Sequence, residues 1–246
     1  MKVGEFELNK IYKADCYEAI KNIPDKSIDL IVTDPPYEIY ANGGGGAFGV
    51  ENRNYHNDVS KKLNYGVSNE LLKELVRVMK KINIYIWCNK TQLRQYLDFF
   101  EELGATADLL TWHKTNPIPT CNNKYLSDTE YCLYFRKDSV PLYGNYETKK
   151  KYYISATNIE DKKMYKHPTI KPINIIKNLI INSSKENDIV FDPFVGSGTT
   201  ALAAKELGRN YIGFEINDKF HKIAVDRING ITASGQTTIF SDFDNM

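Results

Sequence analysis

Short apolar runs of β type alternate along this chain with stretches of helical periodicity, and few folds accommodate that alternation. Ile11 to Ala14 reads as a strand, Tyr17 to Asn22 as a short helix, and Ile28 to Thr33 as a second strand. Asn69 to Lys80 carries Leu71, Leu72, Leu75, Val76 and Met79 at the spacing of an amphipathic helix, and Ile82 to Trp87 follows as a buried strand. A helix is predicted over Thr91 to Leu103, stopped by Gly104, with strands near Ala107 to Trp112 and Tyr131 to Phe135. A helix over Pro172 to Asn182, a strand from Ile189, a helix over Thr199 to Leu207 closed by Gly208, and a strand over Asn210 to Phe214 complete the series. The pattern predicts an α/β fold on a doubly wound, mostly parallel sheet. A length of 246 residues suits one such domain, ending in a polar, weakly patterned tail from Gly230 to Met246.

Two strings stand where such a sheet binds ligands, at the carboxyl ends of strands. Asp34-Pro35-Pro36-Tyr37 follows the Ile28 to Val32 run, and Asp192-Pro193-Phe194-Val195-Gly196-Ser197-Gly198-Thr199-Thr200 follows Ile189 to Phe191. Pro35 and Pro36 fix φ and lack amide donors, so the first string is a stiff turn presenting carbonyl oxygens beside the Asp34 carboxylate and the Tyr37 ring. That set suits an exocyclic amine held between two acceptors while its ring stacks on the tyrosine; an ordinary exposed turn would also accommodate it. The second string has neither the Gly-Lys-Ser/Thr of a Walker loop nor the GxGxxG spacing of the dinucleotide fingerprint. Glu215 closes the next strand, a position suited to the ribose hydroxyls of a nucleoside cofactor.

Acids and bases nearly cancel, with a net charge of +1, so any nucleic-acid surface must be local. The basic excess is concentrated between Trp112 and Lys171, where eleven Lys or Arg stand against six Asp or Glu. Within that stretch Lys114 to Lys166 reads as a small inserted lobe. Glu38 to Tyr65, with Gly43 to Gly46 and many Asn, reads as a loop able to close over a site. Cys16, Cys88, Cys121 and Cys132 form no CxxC pair, which predicts reduced structural thiols and no metal site. No apolar signal core or membrane-spanning run is present, so a cytoplasmic protein without membrane contact is expected.

The two strings, in this order, resemble the catalytic and cofactor motifs of the permuted β group of S-adenosylmethionine-dependent amino-group DNA methyltransferases. His167-Pro168-Thr169-Ile170-Lys171-Pro172 is similar to a further element that this group places beside the cofactor's methionine end. The resemblance runs from Ala14 to about Ile216. It implies a Rossmann-like methyltransferase fold in one domain: a catalytic loop at 38–65, a target-recognition lobe at 114–166 and a cofactor-binding part at 167–229. The Asp34 form of the first motif points toward adenine N6, whereas Ser is more typical of cytosine N4 enzymes.

Carried over by residue, the resemblance implies that Asp192, Phe194, Gly196, Ser197, Gly198 and Thr199 wrap the cofactor, with Glu215 on its ribose and Ile216 alongside. Asp15 through its carboxylate and Cys16 through its backbone would meet the cofactor's adenine. His167, Thr169 and Lys171 would line the methionine side, Lys171 pairing with the carboxylate. Asp34, helped by the Pro35 carbonyl in the stiff Pro35-Pro36 turn, would accept from the target amine while Tyr37 stacks on the base. The implied partner is double-stranded DNA from which the target base is flipped; a homodimer and a cognate restriction endonuclease are further expectations of the group. The chain runs only a short way past the Glu215 strand, so target recognition is expected to rest on Lys114 to Lys166 or on a second subunit. Cytosine-N4 methylation, methylation of RNA or of a protein glutamine, and a catalytically idle DNA-binding role are the competing readings.

Overall fold

The strands that carry the two motifs lie side by side at the centre of one sheet. The computed structural model describes residues 1–36, 67–117, 119, 123, 125–167 and 169–237; Tyr37, the expected loop at 38–65, Cys121 and Pro168 lie outside them. In chain order the strands are β1 (Lys2–Val3), β2 (Phe6–Glu7), β3 (Lys10–Lys13), β4 (Leu30–Thr33), β5 (Asn83–Cys88), β6 (Thr106–Lys114), β7 (Thr129–Arg136), β8 (Tyr152–Ser155), β9 (Ile189–Asp192) and β10 (Asn210–Glu215). The helices are α1 (Cys16–Ala19), continued by a 3₁₀ turn, α2 (Asn69–Val78), α3 (Leu93–Glu102), α4 (Ile159–Tyr165), α5 (Ile173–Ser183), α6 (Thr199–Glu206) and α7 (Asp218–Ile228).

Eight strands form one sheet in the order β3-β10-β9-β4-β5-β7-β6-β8, and β1 and β2 pair separately. Strands β3, β10, β9, β4 and β5 are mutually parallel, β7 is antiparallel to both neighbours, and β8 runs parallel to β6. The mixed edge explains how Lys114 to Lys166 is built: β7 is paired on both sides within the sheet and β8 forms its outer edge, so this stretch does not stand apart from the domain.

Strand β4 is buried throughout because it is covered on both faces. Ile31 belongs to a core shared with Ile20, Leu71, Leu75, Tyr96 and Phe100 of α2, α3 and the first helical turn; Leu30 and Val32 point into the opposite core with Ile175, Leu179, Ala203 and Ala224 of α5, α6 and α7. The predicted stripe of α2 holds, with Leu71, Leu72, Leu75 and Val78 buried and the Ser68 side chain capping the helix by accepting from the Leu71 amide. Each such residue contributes about 1.5–3 kcal/mol on burial. Among the described residues no helix is long and apolar enough to cross a membrane.

Five elements were not anticipated: β1, β2, β8, α4 and α7. Helix α7 has a clear start, since the Asn217 side chain accepts from the Phe220 amide. Its core stripe is interrupted by Arg227, which is 1% exposed, and a charged residue at a core position hides the apolar periodicity.

The turn after β9 crosses β10, with the Val195 amide donating to the Phe214 carbonyl at 3.0 Å. Gly213 makes that contact possible, because a Cβ there would come within 2.2 Å of Val195 Cγ2. Gly213→Ala should therefore destabilise the protein by about 1–3 kcal/mol, the usual range for overpacking, read as a lowered urea midpoint; an unchanged midpoint would refute the close-approach account.

Candidate active site

The sheet reverses its direction of winding between β4 and β9. The chain proceeds from β4 to β5 on one side and from β9 to β10 on the other, so a crevice opens outside the carboxyl ends of β4 and β9. Leu30 pairs with Val190 and Ile31 with Phe191, which brings Asp34 and the glycine turn to the same end of the sheet. The Thr33 hydroxyl ties the strand ends together by donating to Asp192 Oδ1 at 2.9 Å, and the Phe194 amide donates to the same oxygen at 3.0 Å.

The cleft at this point is bordered by Asp34, Trp87, His167, Thr169, Lys171, Asp192, Phe194, Gly196, Ser197 and Thr199, among others. Most of the predicted residues therefore meet. Burial, reinforced by the nearby Asp34 charge, pushes the Asp192 carboxyl up to about 7 against the hydrogen bonds it accepts. Asp192 is thus a brace between the two motifs, its oxygen directed at Thr33 and Phe194.

The glycine turn is held from three sides. Gly198 has φ +80°, and a Cβ on it would press on Ala224 of α7 at 3.1 Å. Glu215 Oε2 accepts from the Gly196 amide at 2.9 Å and Oε1 from the Asn217 amide at 2.8 Å, while burial raises its carboxyl above the ordinary range. Both oxygens keep further lone pairs, so the brace is compatible with accepting ribose hydroxyls as well. From below, the buried Arg227 guanidinium donates to the Ser197 carbonyl, the Ser197 and Thr199 hydroxyls and Asp161. Asp161 is thereby linked through Arg227 to the turn; neither residue was singled out beforehand.

Asp15, Cys16, Gly198, Glu215 and Ile216 lie outside the immediate cleft lining. The Ala14 amide donates to the Glu215 carbonyl at 3.1 Å, so Asp15 and Cys16 flank the end of β10. Asp15 caps α1 by accepting from the Tyr17 amide at 3.0 Å, and Cys16 is a buried thiol whose pKa burial drives up. Ile216 is half exposed beside Glu215. Pro35 is buried and Pro36 exposed.

Lys171, expected on a cofactor carboxylate, meets two carboxylates of the chain itself. Its Nζ lies 2.5 Å from Asp34 Oδ2 and 3.0 Å from Glu130 Oε2, and 4.9 Å from the centre of the Trp87 ring. Burial alone would lower its pKa, yet the two carboxylates hold it well above the ordinary lysine value. Glu130 in turn meets Lys114 at 2.7 Å; against the effect of burial, Lys171 and Lys114 draw its carboxyl down to about 2. The reason for this pairing is local neutrality: a lysine this buried needs carboxylates within reach, and Asp34 and Glu130 supply them.

Donors suited to an acceptor-bearing ligand come from elsewhere. His167 Nδ1 accepts from the Thr169 amide at 3.3 Å, which leaves its proton on Nε2. Nε2 sits beside Gly196, buried and without a partner among the described residues, and Trp87 Nε1 is likewise buried and unpartnered among them. Burial and nearby positive charge, Arg227 foremost, depress His167 to about 4, so the ring is neutral at physiological pH. Two orphaned N–H donors at one cleft fit a bound group that presents acceptors, such as a carboxylate.

A family model described as DNA methylase, of the N6/N4 methyltransferase type, matches residues 28–226. The chain is 33% identical over 236 residues to the type II methyltransferase M2.LlaDCHI of Lactococcus lactis subsp. cremoris, covering 88% of this chain and 87% of that protein. It is 34% identical over 259 residues to the type II methyltransferase M.HinfI of Haemophilus influenzae, covering 91% and 69% respectively. Among solved structures it is similar to an M1.HpyAVI–SAM complex, with a TM-score of 0.66 at 29% identity over 89% of this chain and 98% of that one. The fold is also that of the cytosine-N4-specific PvuII DNA methyltransferase, with a TM-score of 0.68 at 17% identity over 89% of this chain and 85% of that one.

Burial of Asp192 has a pH signature. Its carboxyl stays protonated in the folded protein up to about 7, whereas in the unfolded chain it ionises near 3.8. The folded state therefore binds the extra proton between those values, and stability is lost as pH rises through that window. Asp192→Asn removes this term, so the stability of wild type relative to the variant should fall by a few kcal/mol from pH 4 to pH 7, as measured by urea unfolding; a constant difference would show that the carboxyl ionises normally.

Proposed function

The chain belongs to the DNA methylase family of N6 and N4 amino-methyltransferases, and from that premise we propose that it methylates adenine N6 in duplex DNA. The DNA methyltransferase activity and the use of S-adenosylmethionine follow from the family; the adenine target is our reading of Asp34. The observation that carries it is the placement of the Asp34 carboxylate, in the Asp-Pro-Pro-Tyr string, at the switch point opposite the glycine turn. When bound, S-adenosylmethionine supplies a methyl group on a positively charged sulfur.

The chain's own groups account for the remaining requirements. His167 Nε2 and Trp87 Nε1 donate to the cofactor's acceptors, and the turn from Phe194 to Thr199 surrounds it. Glu215 and Asp15, which flank the end of β10 with Ile216, take the nucleoside. Asp34 and the Pro35 carbonyl accept from the target's exocyclic amine and draw its nitrogen out of conjugation with the ring, with Tyr37 stacking on the base. The amine nitrogen would take the methyl carbon of bound S-adenosylmethionine, whose sulfur would keep the electron pair, and Asp34 would pass the released amine proton to water. Asp34 stabilises the positive charge that grows on nitrogen, and its fixed position lowers the entropic cost of alignment.

An amine tied up in a base pair is out of reach, so the base is flipped into the cleft. The segment from Lys114 to Lys166, which contributes β7 and the outer strand β8, supplies exposed Lys149, Lys163 and Lys166 for phosphates. Lys150 and Lys151 are engaged by Glu147 and Asp108 and contribute less. The type II naming of the relatives supports a restriction–modification setting for this chain. A homodimer belongs to the same proposal, supported by the strip of Leu109, Tyr152 and Ile154 that the outer sheet edge leaves exposed on one face; light scattering should give twice the chain mass, and a monomer would remove it.

Purified protein with labelled S-adenosylmethionine and unmethylated plasmid DNA should yield N6-methyladenine on digestion to nucleosides and mass spectrometry. Asp34→Ala should lower the rate at least about a hundredfold, the usual loss for a group that stabilises transition-state charge, with cofactor binding kept. N4-methylcytosine as the product would overturn the adenine assignment and leave the family standing.

A further inference from the structure

Methyl transfer needs one acceptor carboxylate, yet two meet Lys171. Its ammonium is held at 2.5 Å from Asp34 and 3.0 Å from Glu130, in a chain of alternating charge that ends at Lys114, 2.7 Å from the other Glu130 oxygen. This arrangement sets a problem for the reaction. The incoming amine finds Asp34 Oδ2 occupied by a cation, and the nitrogen becomes positive as the methyl group arrives. A second positive charge beside the acceptor opposes both events. Expelling Lys171 to an uncompensated buried position would be costly, because its side chain is only 11% exposed.

We propose that Glu130 is a positioning residue that takes over Lys171 as the target amine binds Asp34. The ammonium already lies within hydrogen-bond distance of Glu130, so a small shift keeps its charge paired and yields Asp34 Oδ2 to the amine. Glu130 is suited to this role because it stands on β7, where it pairs in register with Trp112 of β6, and is fixed by the sheet. Lys114, the last residue of β6, holds it from the other side. The cluster of Lys114, Glu130, Lys171 and Asp34 is neutral overall, and losing the Glu130 charge would leave a net positive charge where a cation has to form. The inference rests on the methyltransferase reading above and adds a residue that acts through Lys171.

The test is single-turnover methylation of unmethylated plasmid DNA at saturating labelled S-adenosylmethionine, with the cofactor dissociation constant and melting temperature measured on the same proteins. Glu130→Gln should slow transfer about ten- to a hundredfold, in keeping with a hydrogen bond to a charged group, while cofactor affinity stays within about threefold. Removing the blocking cation as well, in Glu130→Gln with Lys171→Gln, should recover about tenfold of the lost rate, which a merely structural Glu130 would not do. A wild-type rate for Glu130→Gln, or a double variant no faster than the single one, would overturn the proposal. Should Glu130→Gln melt far below wild type, Glu130→Met, which removes the charge without adding an unpaired polar group, replaces it in the same pair of comparisons with the same two outcomes. A wild-type protein that binds the cofactor and transfers methyl to no DNA would instead defeat the underlying reading.

Discussion

The pairing of β4 with β9 is the constraint on which the rest of the site depends. Thr33 and Asp192 are 159 positions apart in the chain, yet their side chains meet at 2.9 Å because two buried parallel strands end side by side. The strands leave that line in opposite directions, and the gap between their connections becomes the cleft. An acceptor carboxylate and a glycine turn thus face one ligand volume without either being carried on a long loop. The cost is a carboxyl, Asp192, buried where ionisation is disfavoured. Its protonated form and the Thr33 and Phe194 donors offset that cost.

Rigidity around the glycine turn comes from a buried arginine behind it and from Glu215, itself a candidate ligand residue. Arg227 reaches up from α7 to the Ser197 carbonyl and the Ser197 and Thr199 hydroxyls, and Glu215 takes the Gly196 amide. An arginine at a core position of a helix would ordinarily be destabilising. Here its two terminal nitrogens meet carbonyl, hydroxyl and carboxylate acceptors, and it lies over the Tyr165 ring. The same packing brings His167 against Phe220, so its neutral ring and orphaned Nε2 are oriented by the shell behind them.

Charge in the cleft is balanced by a chain of four residues from four different elements. Lys114 closes β6, Glu130 is the second residue of β7, Lys171 precedes α5 and Asp34 follows β4. Lys171, the most buried of the four, needs its carboxylate partners, and together the four are neutral. Such a chain is sensitive to what enters it: a cationic or hydrogen-bond-donating group at Asp34 redistributes the pairing along its length. Buried ion networks of this kind are weak sources of stability but strong determinants of where an incoming donor fits.

Much of the molecule could be read from local pattern. The apolar runs before Asp34 and Asp192, the stripe of α2 and the glycine stops after α3 and α6 are properties of a few neighbouring residues, so β3 to β7, β9, β10 and most helices follow from spacing. The doubly wound sheet and the family follow from the order of those parts. Helix α7 escaped because Arg227 occupies a core position, where periodicity expects an apolar residue. Glu130 and Trp87 escaped because nothing in their own neighbourhoods distinguishes them from any residue of a buried strand. The partner of Lys171 was decided only by the tertiary structure, since a charge removed from water pairs with whatever carboxylates the sheet brings near it. Sequence determined which groups are available for chemistry; the register of β4, β9 and β7 decided which of them meet, because electrostatic pairing depends on distances of a few ångströms that no spacing along the chain encodes.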